Sequence, residues 1–126
     1  MTNPTDIIVV DDNRDISVML KSILEFAGHT VATCDGKESL LLILAIYHPQ
    51  LIVMDMGLGN ADGRDICREL KNDPPTAHIP ILMISAHPDA GHSCLEAGAN
   101  AFLEKPFEMD ELIDQTWVLL TKAASC

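Results

Sequence analysis

The chain has 126 residues, enough for one domain of ordinary size, and its 48% apolar content supplies a core without disulfides. Nineteen acidic side chains against eight basic ones leave a formal charge of −11, which argues against a nucleic-acid surface, because such a surface needs a basic stripe to displace counterions. The N-terminus MTNPTD is polar, and no apolar run approaches the ~20 residues that cross a bilayer, so neither a signal peptide nor membrane insertion is expected.

In chain order, short apolar runs alternate with segments of helical period. Ile7–Val10 is the first run and ends on Asp11-Asp12. Ile16, Met19, Leu20, Ile23 and Ala27 then recur at helical spacing, with Gly28 as a stop. A second run, Thr30–Thr33, precedes the segment LLLILAIY (Leu40 to Tyr47), a helix with almost no polar face. That segment reads either as a deeply buried helix or as an exposed apolar patch used for docking, with Leu41 and Ala45 turned away from Leu40, Ile43 and Tyr47. Leu51–Met54 follows and ends on Asp55, and the third helix stops at Pro74 and Pro75. Ile81–Ile84 ends on Ser85, and His87–Gly98 leaves room only for a short fourth helix containing Gly91. Ala101–Leu103 leads to Lys105-Pro106. The last helix spans Glu108 to about Ala123, with Met109, Leu112, Ile113, Thr116 and Leu120 on one side.

Five strand–helix units in this order predict an α/β, doubly wound (βα)5 chain. A parallel five-stranded sheet would be the middle layer of a three-layer sandwich, with right-handed crossovers. A single domain over residues 1–126 is expected, because no linker or low-complexity tract is left over. The four cysteines, Cys34, Cys67, Cys94 and Cys126, have no zinc-ligand spacing and read as reduced thiols of a cytoplasmic protein.

Ligands of an open parallel sheet bind beyond the carboxyl ends of its strands. Asp11, Asp12 and Asp55 would meet there, and their mutual repulsion calls for a hard cation. Mg²⁺ suits the site because it takes oxygen ligands and keeps waters, needing only one or two protein carboxylates. Asp12 or Asn13 also reads as a helix N-cap, but capping leaves three converging aspartates unexplained. Ser85 and Lys105 add a hydroxyl and an ammonium at the same edge, the groups that a transferred phosphoryl requires.

The motifs VVDD, LIVMDMGLGNADG, ILMISAH and FLEKPF, in this order, resemble those of response-regulator receiver domains of two-component signalling. The resemblance runs from Ile7 to the last helix and implies the flavodoxin-like strand order 2-1-3-4-5. It implies that Asp55 is the phosphoacceptor, taking its phosphoryl group from a sensor histidine kinase or a histidine phosphotransfer protein. Asp12, Asp55 and the Gly57 carbonyl would ligate Mg²⁺ directly, and Asp11 mainly through water. Lys105 and Ser85 would hold the phosphoryl group, with the backbone amides of Gly57 and Ala86. Ser85 and Phe102 would form the switch, and the Lys105–Pro106 bond would be cis. A downstream protein target, which the sequence does not name, and a weak homodimer complete the implied partners.

Two positions depart from the family pattern. Gly59 stands where the family often has Pro, and with Gly57 it leaves the lip of the acceptor loop without a side chain. Gly57 and His87 are therefore candidates for setting the lifetime of the phosphorylated state. No output domain is encoded, so the chain reads as a stand-alone receiver or a piece of a larger regulator or hybrid kinase. Three rival readings remain at this level. A Mg²⁺-dependent phosphohydrolase with an Asp nucleophile would want a second carboxylate two residues on, where Asn13 and Gly57 stand. A flavin module would want a phosphate loop in place of DDNRD. A scaffold that is never phosphorylated would not need the acceptor-site residues.

Overall fold

The structure is a computed structural model that describes residues 6–124. Five parallel strands, β1 (Ile7–Val10), β2 (Val31–Cys34), β3 (Leu51–Asp55), β4 (Ile81–Ser85) and β5 (Ala101–Glu104), form one sheet in the order β2-β1-β3-β4-β5. This is the expected 2-1-3-4-5 order. Helices α1 (Arg14–Phe26), α2 (Lys37–Leu44), α3 (Gly63–Asn72), α4 (Ala90–Glu96) and α5 (Met109–Ala124) cover both faces. A separate antiparallel ladder joins Gly57–Leu58 to Ala61–Asp62.

Alternate residues of each strand point to opposite faces, so the sheet divides the core in two. Ile8, Val10, Ile52, Met54, Ile81 and Met83 pack with Leu40, Ile66, Leu70 and Cys94 from α2, α3 and α4. Ile7, Val9, Leu51, Val53, Leu82 and Ile84 pack with Leu20, Leu24, Leu112 and Leu119 from α1 and α5. Residues 7–10, 51–54 and 81–85 are all buried, as strands covered on both faces must be.

Helix boundaries follow local chemistry. Asn13 is the N-cap of α1, its Oδ1 accepting from the Ile16 N–H at 3.2 Å, so Asp12 is not consumed as a cap. Gly28 ends the same helix with φ +103°, a conformation that side chains disfavour. The helix stripes differ from expectation at their margins. Met19 and Ala27 of the first helix and Met109 of the last are exposed, whereas Leu24 and Leu119 are buried. α4 has seven residues, as short as its sequence suggests.

Within α2, Leu40 is fully buried, while Leu41 and Leu42 are 47% and 70% exposed, and Ile46 just beyond is 71% exposed. The apolar second helix thus has an inner edge and an uncovered outer face. No described helix is long and apolar enough to cross a membrane.

Candidate functional site

Parallel register gathers the acidic residues. Val10 lies beside Met54, so the next residues, Asp11 and Asp55, leave neighbouring strands side by side. Asp12 follows Asp11 into the turn before α1. Each of the three carboxylates offers an oxygen, and these oxygens lie within 4.8 Å of one another. Each ionised pair at that spacing repels by about 3–4 kcal/mol at an effective dielectric near 20.

Asp11 is the most buried of the three. Its side chain is 3% exposed, Oδ1 accepts from the Asn13 N–H at 2.9 Å, and buried Oδ2 has no hydrogen-bond partner among the described residues. Burial pushes its carboxyl above the ordinary value, and the Asp55 and Asp12 charges push the same way against the Asn13 hydrogen bond and Lys105. A buried, orphaned anionic oxygen beside two further carboxylates is an oxygen donor set that a hard divalent cation satisfies.

Opposite charge enters from the far side. Ser85 lies beside Glu104 in the β4–β5 register, so Lys105 emerges next to the end of β4. Its Nζ stands 3.4 Å from Asp55 Oδ1. The Lys105–Pro106 peptide bond is cis. Ser85 is buried, and its Oγ accepts from the His87 N–H at 3.0 Å, so the hydroxyl is held within its own loop. Ala86 and Lys105 line an apolar pocket of about 490 Å³ with Ile16, Met19 and Phe107. Phe102 is half-buried, and its ring lies against α4, where a Cβ on Gly91 would stand 3.1 Å from Cδ2.

The acceptor loop is shaped by glycine. Gly57 is exposed, and a Cβ there would meet nothing within 4 Å. Gly59 has φ +62°, and its Cβ would come within 3.3 Å of Asp12 Oδ2. The fold thus brings Asp11, Asp12, Asp55 and Lys105 into direct proximity. Gly57, Ala86 and His87 stand around them on flanking segments with Ser85 at the end of β4, and Phe102 lies against α4.

Three contributors carried no role in the sequence reading. A Cβ on Gly63 would fall 2.6 Å from the Asp55 carbonyl oxygen, so only glycine lets α3 start this close to the acceptor. Asp62 caps α3 by accepting from the Arg64 N–H at 2.9 Å, and it also pairs with the Arg64 guanidinium at 2.5 Å. Arg64 Nη1 then donates to Ser93 Oγ of α4 at 3.0 Å. The dipeptide Asp62-Gly63 ahead of a helix was the available signal, whereas the Arg64–Ser93 contact leaves no trace in spacing. The thiols stand apart from this chemistry: burial pushes Cys34 up to about 11 and raises Cys67 and Cys94, while Cys126 lies outside the described residues.

The response regulator receiver domain family matches residues 7–116. The response regulator MprA of Mycolicibacterium vanbaalenii is 35% identical over 122 residues, covering 94% of this chain and 52% of that protein. The DNA-binding dual master transcriptional regulator RpaA of Synechocystis is 33% identical, covering 92% of this chain and 49% of that one. The chain therefore spans about half the length of these curated relatives. The crystal structure of the receiver domain of NtrX from Brucella abortus superposes with a TM-score of 0.85 at 33% identity, covering 92% of this chain and 98% of that one. With matching family pattern, strand order and acidic strand-end cluster, the chain belongs to the response regulator receiver domains.

Proposed function

We propose that this receiver domain takes a phosphoryl group onto Asp55 from a phosphohistidine of a sensor histidine kinase or a histidine phosphotransfer protein. One observation carries the reading: Asp55 stands between a pair of carboxylates and an ammonium, its Oδ1 3.4 Å from Lys105 Nζ. An Asp55 oxygen attacks the phosphorus in line, the O–P bond forms as the P–N bond breaks, and the histidine leaves with the electron pair and is reprotonated. Mg²⁺, held by Asp12, Asp55 and the Gly57 carbonyl with Asp11 acting through water, would neutralise the equatorial oxygens when bound. Lys105 pairs with the phosphoryl oxygens, and the Gly57 and Ala86 amides donate to them. Ser85 joins by exchanging its present contact with the His87 N–H for a phosphoryl oxygen.

The acyl phosphate then offers acceptors that free Asp55 lacks, and this difference biases the loop carrying Ser85 and the ring of Phe102. The output is a change in which downstream protein is bound. Described residues 6–124 act as one receiver unit in the cytoplasm. Hydrolysis of the acyl phosphate resets the domain, at a rate set by the open lip at Gly57 and by exposed His87.

Incubation with Mg²⁺ and acetyl phosphate should add one phosphoryl mass, and beryllofluoride should shift the amide spectrum around residues 55–63 and 85–88. Asp55→Asn should abolish both; a retained mass increase moves the acceptor elsewhere. Gly57→Asn and His87→Ala should each change the decay of the phosphorylated form by about threefold or more, about 0.7 kcal/mol in barrier. Unchanged decay in both removes them as rate determinants.

A further inference from the structure

Helix α4 is lightly held. It has seven residues, Asp89 ahead of it makes no capping hydrogen bond, and the side chains it buries are the small ones of Ala90 and Cys94. Among the described residues, one side-chain hydrogen bond joins it to another element: Arg64 Nη1 of α3 donates to Ser93 Oγ at 3.0 Å. The Ser93 hydroxyl passes its own hydrogen to the Ala90 carbonyl at 3.0 Å, so it is fixed to the start of α4 while it accepts from Arg64.

The other end of that bond is stiff. Arg64 Nε lies 2.9 and 3.1 Å from the two Asp62 carboxylate oxygens, and Nη2 lies 2.5 Å from Oδ2. A planar guanidinium gripped along one edge aims its remaining nitrogen in one direction, and that nitrogen meets Ser93. Asp62 is itself braced. Its backbone pairs with Gly57 in the antiparallel ladder, and its Oδ1 accepts from the Arg64 N–H at 2.9 Å. The ladder turns through Gly59-Asn60, with Gly59 at φ +62°, the place where a two-residue hairpin favours glycine. At its far end, Gly63 starts α3 against the Asp55 carbonyl.

We infer that Arg64 is a positioning residue for α4, converting movement of the acceptor loop into movement of that helix through Ser93. The inference rests on the phosphoacceptor reading, in which the Gly57 carbonyl and amide both engage the filled site. A pull on Gly57 reaches Asp62 across the ladder and turns the guanidinium clamped to it. The braced hairpin leads and the lightly held helix follows. This route is distinct from that of Ser85 and Phe102, whose ring meets α4 at Gly91. Residues 91 and 93 lie about 200° apart around a helix, so the two routes address α4 from different sides.

Beryllofluoride titration of the intact chain in Mg²⁺ tests this, with the amide shift difference between free and filled forms recorded for each variant. In the native chain the differences should appear at residues 55–63 and again at 90–96. Ser93→Ala and Arg64→Lys should each keep the differences at 55–63 and lower those at 90–96 to about half or less. Ser93→Thr, which keeps the hydroxyl, should restore them. A contact that only steadies the fold cancels, because each difference compares two forms of one variant. Equal α4 differences in the native chain and both variants, a native α4 that stays silent, a loss as large at 55–63 as at 90–96, or no restoration by Ser93→Thr would each overturn the inference while the phosphoacceptor reading stands. A native chain without response at 55–63 fails that reading first, and the inference with it.

Discussion

When its neighbours are ionised, Asp11 carries charge into a place where 3% of its surface is exposed and one oxygen has no donor. Its carboxyl is pushed up in the fold, so the folded state holds the proton more tightly than the unfolded chain. Stability from this group is therefore full at low pH and lost as pH rises from 3.8 through the folded value. Asp11→Asn keeps an acceptor for the Asn13 N–H and removes the charge. In EDTA at pH 7 it should raise unfolding stability by about 1–3 kcal/mol, read as a shifted urea midpoint at unchanged slope. Mg²⁺ at ten times its dissociation constant should stabilise the native protein by about 1.4 kcal/mol and the variant by less. A variant no more stable than the native chain in EDTA contradicts this account of the site. Asp11, Asp12, Asp55 and Lys105 were legible because each stands within two residues of the end of an apolar run, and strand ends in a parallel sheet share one edge. Gly63 was not, because its requirement comes from the Asp55 carbonyl, eight residues back in sequence.

At the level of elements, the short α4 is tied to the acceptor loop through one backbone pairing and two side-chain contacts. Gly57 pairs with Asp62 across the small ladder, Asp62 holds Arg64, and Arg64 reaches Ser93. The hydrogen bonds from Arg64 hold the Asp62 carboxyl below its ordinary value. The ion pair thus stabilises the fold above pH 3.8, and that contribution fades as pH falls through the depressed folded value. Because both partners are about one-third exposed, the gain is under about 1 kcal/mol. Asp62→Asn preserves the helix cap, so its stability deficit against the native chain should be present at pH 7 and close toward pH 3. A deficit independent of pH would assign the effect to capping alone. Helix periods located α1 and α5 but misjudged their margins. Met19 follows the apolar rhythm of α1 yet lines the pocket beside Lys105, while Leu24, four residues after Leu20, faces the sheet.

Over the whole molecule, the central strands were the plainest part of the sequence, since residues 7–10, 51–54 and 81–84 are apolar without a break. Strand ends were read one residue off, as Thr30–Thr33 rather than Val31–Cys34, and as Leu51–Met54, Ile81–Ile84 and Ala101–Leu103, each one residue short. Polar Asp55, Ser85 and Glu104 end the apolar pattern one residue before the strands themselves end. Strand order itself was not in the spacing and came with the family motifs. The position of β2 in that order has its own effect. Strands β1, β3, β4 and β5 each end in residues of the acidic cluster or its surround, whereas β2, on the outer border, supplies none of them. Substitutions at the exposed Thr33 of β2 and on the outer face of α2 therefore leave the acceptor carboxylates untouched, and paralogues sharing one reaction can diverge on that flank in the company they keep.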